Sequence, residues 1–416
     1  MHKPLGAFLK YWLQLFLVPV YWASHLMIRK RNLWVIGSTF GRRWADNGRY
    51  LYLYLNQQQS EQVQAVWISR KKEIVSFLRQ NGYPAYYVRS LKGIWYCLRA
   101  KVYLYDNYTK DICFWTSGGA IHMNMWHGSG NKKINHDNKH DYLRHPRTRR
   151  EWWSNYLISM TNEKPSDYIL ATSPMMKTIF AGAFGVPENH VLVNGYPRND
   201  MLIGHTIENV YTDEERRVIR CMDEQHAVGD RVVIYMPTFR ASETKFFEVM
   251  DLENFNHFLQ EEHIFFYTKL HPKSKVRSLF EGIQVSNIVN IEADADPYAF
   301  LGRADALVTD YSSIYSDYTL LDRPTVFFLY DFEEYSNDTR ENYFPYEEWM
   351  PETKAYTMQE LMSGIRDALG GNTDAEGRHA LRTKLFELED GDSAQRLYRK
   401  IQELVNGSKK HKRGKA

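Results

Sequence analysis

Two histidines in this sequence arrive directly after apolar runs, and both have lysines close by. His127 follows Ile121–Trp126 and opens the run Gly128-Ser129-Gly130-Asn131-Lys132-Lys133. His271 closes Thr268-Lys269-Leu270 and precedes Pro272-Lys273. An imidazole on an exposed turn can accept a hydroxyl proton near neutral pH. Glycines allow a backbone to approach a ligand closely, and lysines supply charge for an anion. Read singly, the first motif serves equally as a loop histidine beside solvated lysines, and the second as a structural histidine. Read together, one in each half of the chain, they point to a shared anionic ligand.

A third run, Val308-Thr309-Asp310-Tyr311-Ser312-Ser313 through Asp317, ends a strand at Asp310 and starts a helix with a serine cap. Free N–H groups, the helix dipole and two hydroxyls would hold a phosphate there. Asp and Ser also cap helices for stability alone. Arg198, in Gly195-Tyr196-Pro197-Arg198-Asn199-Asp200, and Arg240, in Met236-Pro237-Thr238-Phe239-Arg240, suit either a bidentate phosphate contact or an ion pair. The acids of Asp331-Phe332-Glu333-Glu334 read as structural. The Gly-rich dinucleotide fingerprint, the Gly-Lys-Ser/Thr phosphate loop, the His-Glu-x-x-His zinc motif and the Gly-x-Ser-x-Gly elbow are all missing. His136, His140 and His145 are irregularly spaced among basic residues, so neither a metal nor a cofactor is expected.

These motifs need strands to present them. Leu33–Ser38, Ala65–Ser69, Lys101–Tyr105, Ile121–Trp126, Tyr168–Ala171 and Val191–Asn194 read as strands of a first sheet. Arg231–Met236, Phe265–Leu270, Ile288–Ile291, Ala306–Thr309 and Thr325–Leu329 read as a second. Their continuous apolar character predicts parallel strands covered on both faces. Ser173-Pro174 predicts a helix start and Gly185 its end. From Met358 to Asn406 only helices are expected. The fold class is α/β, with two Rossmann-like domains facing each other across a cleft, and ligands sit beyond the carboxyl ends of such strands. The expected division is 32–202 for the first domain, 203–229 for a charged connection, and 230–406 for the second domain with the terminal helices.

Length and composition agree. The 416 residues exceed one small core, and 44% hydrophobic with 25% charged residues excludes wholesale disorder and a polytopic membrane protein. Three scattered cysteines form neither a disulfide framework nor a zinc knuckle. The net charge of +3 is local to the tail at 407–416, so the body is not a nucleic-acid binder by charge. That tail reads as solvated chain or as a contact to anionic lipid. At the other end, residues 1–31 hold an apolar, Trp/Tyr-rich stretch from Leu5 to Ile28, followed by Arg29-Lys30-Arg31. Lys10, Gln14, Pro19 and His25 interrupt it, which argues against a membrane span. A helix lying in the interface of an anionic membrane is the expectation, against a domain-packing helix.

Jointly and in this order, Trp126-His127-Gly128 with Lys132-Lys133, Gly195 to Asp200, Leu270-His271-Pro272, Thr309 to Asp317 and Arg323-Pro324 to Tyr335 resemble the CDP-glycerol glycerophosphotransferase family of wall teichoic acid and capsule polymer primases and polymerases. The resemblance spans Asn32 to about Tyr346. It implies a GT-B fold, a CDP-linked polyol-phosphate donor such as CDP-glycerol, and a polyprenyl-linked saccharide or growing polymer as acceptor. It also implies peripheral work at the cytoplasmic face of the membrane, as a single-module transferase. On this reading His127 is the general base and His271 contacts the donor phosphates. Ser312 and Ser313 hold the pyrophosphate, with Arg240, Lys269 and Asp310 beside it, and Asp317 orients the loop. Gly128, Lys132, Lys133 and Arg198 serve the acceptor or an anion. A glycosyltransferase using a nucleotide sugar and a non-catalytic membrane scaffold remain open as alternatives.

Overall fold

Apolar runs that can be buried on both faces build the framework. The computed structural model describes residues 12–407 apart from 142, 164, 205–206, 241–243, 272–273, 275–285 and 338–340. The tail from 408 onward and residues 1–11 therefore lie outside the described residues. Seven parallel strands form the first sheet: β1 Lys30–Gly37, β2 Gln64–Ser69, β3 Ala85–Tyr87, β4 Ala100–Tyr105, β5 Ile121–Asn124, β6 Tyr168–Ala171 and β7 Val191–Val193. Their spatial order is 3-2-1-4-5-6-7. Six form the second: β8 Arg231–Tyr235, β9 Ile264–Thr268, β10 Ile288–Asn290, β11 Ala306–Thr309, β12 Thr325–Phe328 and β13 Thr353–Ala355, in the order 10-9-8-11-12-13. Central strands are fully buried; Leu33, Trp34, Val35 and Ile36 expose nothing.

The strand order reverses at the β1/β4 pair in one sheet and at β8/β11 in the other. Neighbouring connections leave in opposite directions there and open a crevice at the carboxyl ends. The loops after β1, β5, β8, β9 and β11 all emerge at these ends, which is where the motif residues stand.

The expected strands form, with carboxyl ends at most two residues short of expectation and amino ends that match it or begin earlier, by three residues in β1 and by one in β2, β4 and β9. The short edge strands β3 and β13 were not anticipated. Both are three residues long and only partly buried, so they lack the apolar run that marks a central strand. The helix Pro174–Phe184 starts as expected, with the Ser173 side chain accepting from the Met176 N–H, and ends at Gly185 with φ +62°. The charged stretch 203–229 contains a fifteen-residue helix, Asp213–Ala227, opened by a Thr212/Glu215 capping box. The terminal helix Ser393–Gly407 crosses back: Leu397, Ile401 and Val405 pack with Trp34, Leu51 and Leu55 of the first domain. Asp200 caps it by accepting from the N–H groups of Ser393 and Ala394 at 3.0 and 2.9 Å.

Buried charge ties the two sheets together. The Arg49 guanidinium, fully buried, grips Glu215 with two bonds of 2.7 and 2.9 Å and lies 3.7 Å from Asp296. One apolar core runs across the junction, with Trp126, Ile169 and Phe180 from one side and Ile234, Leu307 and Tyr315 from the other.

Candidate active site

A cleft of 720 Å³ lies between the two domains, at the carboxyl ends of both sheets. His127, Gly128, Lys132, Lys269, His271, Ser312 and Ser313 all line it. The first-domain wall fixes its histidine by backbone means. Trp126 adopts a left-handed conformation with φ +56°, which turns the chain sharply after β5. Such a backbone is costly for a bulky residue and persists only where its surroundings impose it. Here the Trp126 N–H donates to Asn124 Oδ1 at 2.9 Å, and its carbonyl accepts from Asn47 Nδ2 at 2.7 Å.

The turn leaves the His127 Nδ1 3.1 Å from the Asp106 carbonyl oxygen. A carbonyl only accepts, so Nδ1 carries the proton in the neutral ring and Nε2 keeps its lone pair. Desolvation pushes the imidazole pKa below its ordinary value, outweighing the pull of the Asp46 carboxylate. His127 is therefore a neutral acceptor at physiological pH.

Gly128, at φ +145°, explains how the two walls meet. A Cβ there would lie 3.0 Å from Ser313 Oγ and 3.3 Å from Arg198 Nη2; one at Gly130 would lie 3.3 Å from Ser313 Cβ. The glycines expected to admit a ligand first of all admit the serine loop of the opposite domain. Ser316 strengthens this junction by donating to the Ser129 carbonyl at 2.6 Å.

The serine loop differs from expectation. The helix after it, Ile314–Tyr318, has five residues, and Ser313 makes no side-chain capping bond. Ser313 lines the cleft, with its Oγ against Gly128. His271 is exposed and packs at 4.6 Å against the Phe239 ring. The Lys269 ammonium lines the same wall and donates to the Ala293 carbonyl at 2.6 Å.

Five further candidates do not face the cleft. Arg240 is locked between Asp310, at 2.6 Å, and Asp331, and is nearly buried. Asp310 is spent on that pair and on accepting from the Thr238 N–H at 2.8 Å. Arg198 bridges Asp46, at 2.7 Å, and Asp317, at 2.5 Å. Burial works against both guanidinium charges, but the flanking carboxylates outweigh it and hold them protonated. An arginine this deep must be paired, which removes it from phosphate binding. Asp317 also accepts from Asn199 at 3.0 Å and from the Tyr298 hydroxyl, which fixes it in the first turn of the helix behind the serine loop. Lys133 points away and pairs with Glu341 at 2.8 Å.

Sequence reasoning passed over Arg43, Thr238 and an aromatic cage. Arg43 lines the cleft and reaches across it to the Ala293 and Ala295 carbonyls, both at 3.1 Å. The Thr238 hydroxyl is buried at the cleft wall with no hydrogen-bond partner among the described residues. Tyr311 and Tyr335 stack at 3.6 Å, and the Lys132 ammonium sits 4.3 Å from the Tyr335 ring and 3.3 Å from the Tyr346 hydroxyl. No motif in the sequence announced that cage.

A family model described as CDP-glycerol:poly(glycerophosphate) glycerophosphotransferase matches residues 20–403. The chain belongs to this family. As a glycerophosphotransferase-family enzyme, it is 27% identical to the teichoic acid glycerol-phosphate transferase of Staphylococcus aureus NCTC 8325, over 89% of this chain and 93% of that one. It is 25% identical to a teichoic acid poly(glycerol phosphate) polymerase of Bacillus spizizenii W23, over 91% and 93% of the two chains. Its fold is similar to that of the wall teichoic acid polymerase TagF, with TM-score 0.71 and 20% identity over 97% of this chain and 98% of that one. Family membership sets aside the nucleotide-sugar and scaffold alternatives, which the shared architecture left standing.

Proposed function

We propose that this protein transfers glycerol phosphate from CDP-glycerol to a hydroxyl of a lipid-linked acceptor in teichoic acid synthesis, with His127 as general base. What supports this reading is the approach of His127 Nδ1 to the Asp106 carbonyl, which leaves Nε2 as the acceptor of a histidine lining a cleft with His271, Ser312 and Ser313 on its other wall. The acceptor oxygen bonds to the glycerol-bearing phosphorus as the bond from that phosphorus to the CMP oxygen breaks. Nε2 takes the hydroxyl proton, and CMP leaves with the electron pair. His271, Lys269, Ser312, Ser313 and the Thr238 hydroxyl offset the charge on the phosphates.

The same reading places the enzyme peripherally on the cytoplasmic face of the membrane. Among the described residues no helix is long and apolar enough to cross a membrane. The helix Val18–Ser24 docks one face on the first domain, where Tyr21 stacks on Phe114 at 4.6 Å. Its outer side and flanks expose Phe16, Trp22, Leu26 and Ile28, each by more than 60%. Apolar side chains beside Arg31 fit an interfacial anchor.

Nucleotide release, as CMP from CDP-glycerol and CDP-ribitol and as the nucleoside diphosphate from a nucleotide sugar, each with a lipid-linked saccharide, tests the function. Release from CDP-glycerol alone is expected. Turnover of the nucleotide sugar, or of none of the three, would overturn the proposal.

A further inference from the structure

Beside the cleft lies a second concavity of 610 Å³, lined by Phe40, Arg42, Arg70, Lys71, Tyr87, Val88, Arg89 and Lys110. Five of these eight carry positive charge and none carries negative charge. None of the five forms an ion pair among the described residues, in contrast to Arg49, Arg198 and Arg240, which are all spent on carboxylates. Concentrating like charge in a concave surface costs stability, and an anionic ligand offsets that cost.

The groove and the cleft share one loop. After β1 the chain passes through three consecutive left-handed residues, Thr39 at φ 47°, Phe40 at 56° and Gly41 at 73°. That turn puts Arg42 in the groove and the next residue, Arg43, in the cleft. Asp111 anchors it, accepting from the Phe40 N–H at 2.7 Å and from the Asp106 N–H at 3.1 Å. The Asp106 carbonyl is the group that orients His127. The groove is thus built onto the support of the proposed base, on the first-domain side of the cleft.

We propose that this groove binds the phosphodiester phosphates of an acceptor that already carries several polyol-phosphate units, so that its terminal hydroxyl reaches His127. This rests on the function proposed above and narrows it to chain elongation. Five separated cations exceed what one diphosphate donor can use, and the donor's phosphates have their own wall across the cleft. A membrane headgroup layer fits less well. The groove sits at the carboxyl ends of β1 to β3, whereas the helix Val18–Ser24 precedes β1 and packs near Gly118, at the amino ends. Its apolar lining consists of Phe40, Tyr87 and Val88, without the wide apolar face that interfacial binding needs.

The test uses the full chain without donor and a fluorescein-labelled glycerol-phosphate oligomer, read by polarisation, beside its monomer. The triple variant Arg42→Ala/Arg70→Ala/Arg89→Ala should bind the oligomer about tenfold more weakly, since exposed ion pairs are individually modest. Its monomer binding and its CMP release with a one-unit acceptor should match wild type. Wild-type affinity for the oligomer should fall with added salt. Unchanged oligomer binding in the triple variant would overturn the proposal. So would loss of binding to phosphatidylglycerol vesicles with oligomer binding intact, which would make the groove a membrane contact. Should the triple variant unfold, Arg89→Glu alone decides in the same assay. An absence of CMP release by wild type would sink the proposed function, while the polarisation arm would still judge the groove.

Discussion

Arg198 and Arg240 stand at matching places, one just past the last strand of the first sheet and the other just past the first strand of the second. Each sits buried between two aspartates. The partners differ: Arg240 pairs with Asp310 and Asp331, both of its own domain, whereas Arg198 joins Asp46 of its own domain to Asp317 of the other. The same charge triad thus shapes one wall in the first case and clamps two walls together in the second. The clamp is the one that touches the His127 turn, because Arg198 also lies against Gly128 and its N–H donates to Asn47 Oδ1, whose amide holds the Trp126 carbonyl.

The largest effect tests what the clamp is for. His127→Ala should lower turnover by ~10²–10⁴-fold, the usual worth of a general base, while leaving donor affinity nearly unchanged. Near-wild-type turnover would remove the base from His127 and with it the reason for the clamp. A second measurement sharpens the point. Because desolvation lowers the imidazole pKa, the acid limb of kcat/KM should fall below the ordinary histidine value of about 6.5, with activity flat above it. A limb above that value would show a protonated ring or a different base.

Next come the arginines themselves. Arg198→Ala leaves the buried Asp317 and the partly exposed Asp46 without their cation, Arg240→Ala leaves the buried Asp310 and Asp331, and each should cost about 3–5 kcal/mol in urea unfolding. Their kinetics should part company. Arg198→Ala should lower kcat, since the His127 and Ser313 loops lose their register, whereas Arg240→Ala should chiefly raise the donor KM through Thr238. Identical kinetic profiles would dissolve the distinction between clamp and wall.

The arginines also mark how far the sequence could be read. The strands were legible because parallel strands covered on both faces are written as unbroken apolar runs, and the motif order sufficed for the family. His127, His271 and the two serines reach the cleft because strand ends at a switch point leave little choice of direction. What the sequence did not reveal was which charges would be spent on each other. Nothing near Arg198 in the chain announces Asp317, 119 positions away, or near Arg240 announces Asp331. Arg43 and Thr238 were missed for the converse reason: Arg43 sits in no pattern, Thr238 stands in a motif read for its arginine, and only the fold turns them inward. The crossing of the terminal helix to the first domain was hidden in the same way, since an amphipathic helix does not name the face it will cover.

The smallest effect concerns another tie across the cleft. Lys132 extends from the first domain into the rings of Tyr311, Tyr335 and Tyr346 of the second, with its ammonium nearest Tyr335. Lys132→Met keeps most of the stem and removes the charge, so it should cost about 1–2 kcal/mol, the range of a partly desolvated cation–π contact. Unlike the Arg198 clamp, this contact lies at the rim and faces the cleft volume. Its loss should therefore be partly reversed by saturating CDP-glycerol, which on the proposed function occupies the cleft beside this contact, as read by the rise in melting temperature on adding donor. A rise no larger than in wild type would make Lys132 a surface contact with no part in closing the cleft, and would leave Arg198 as the tie on which the geometry of His127 depends.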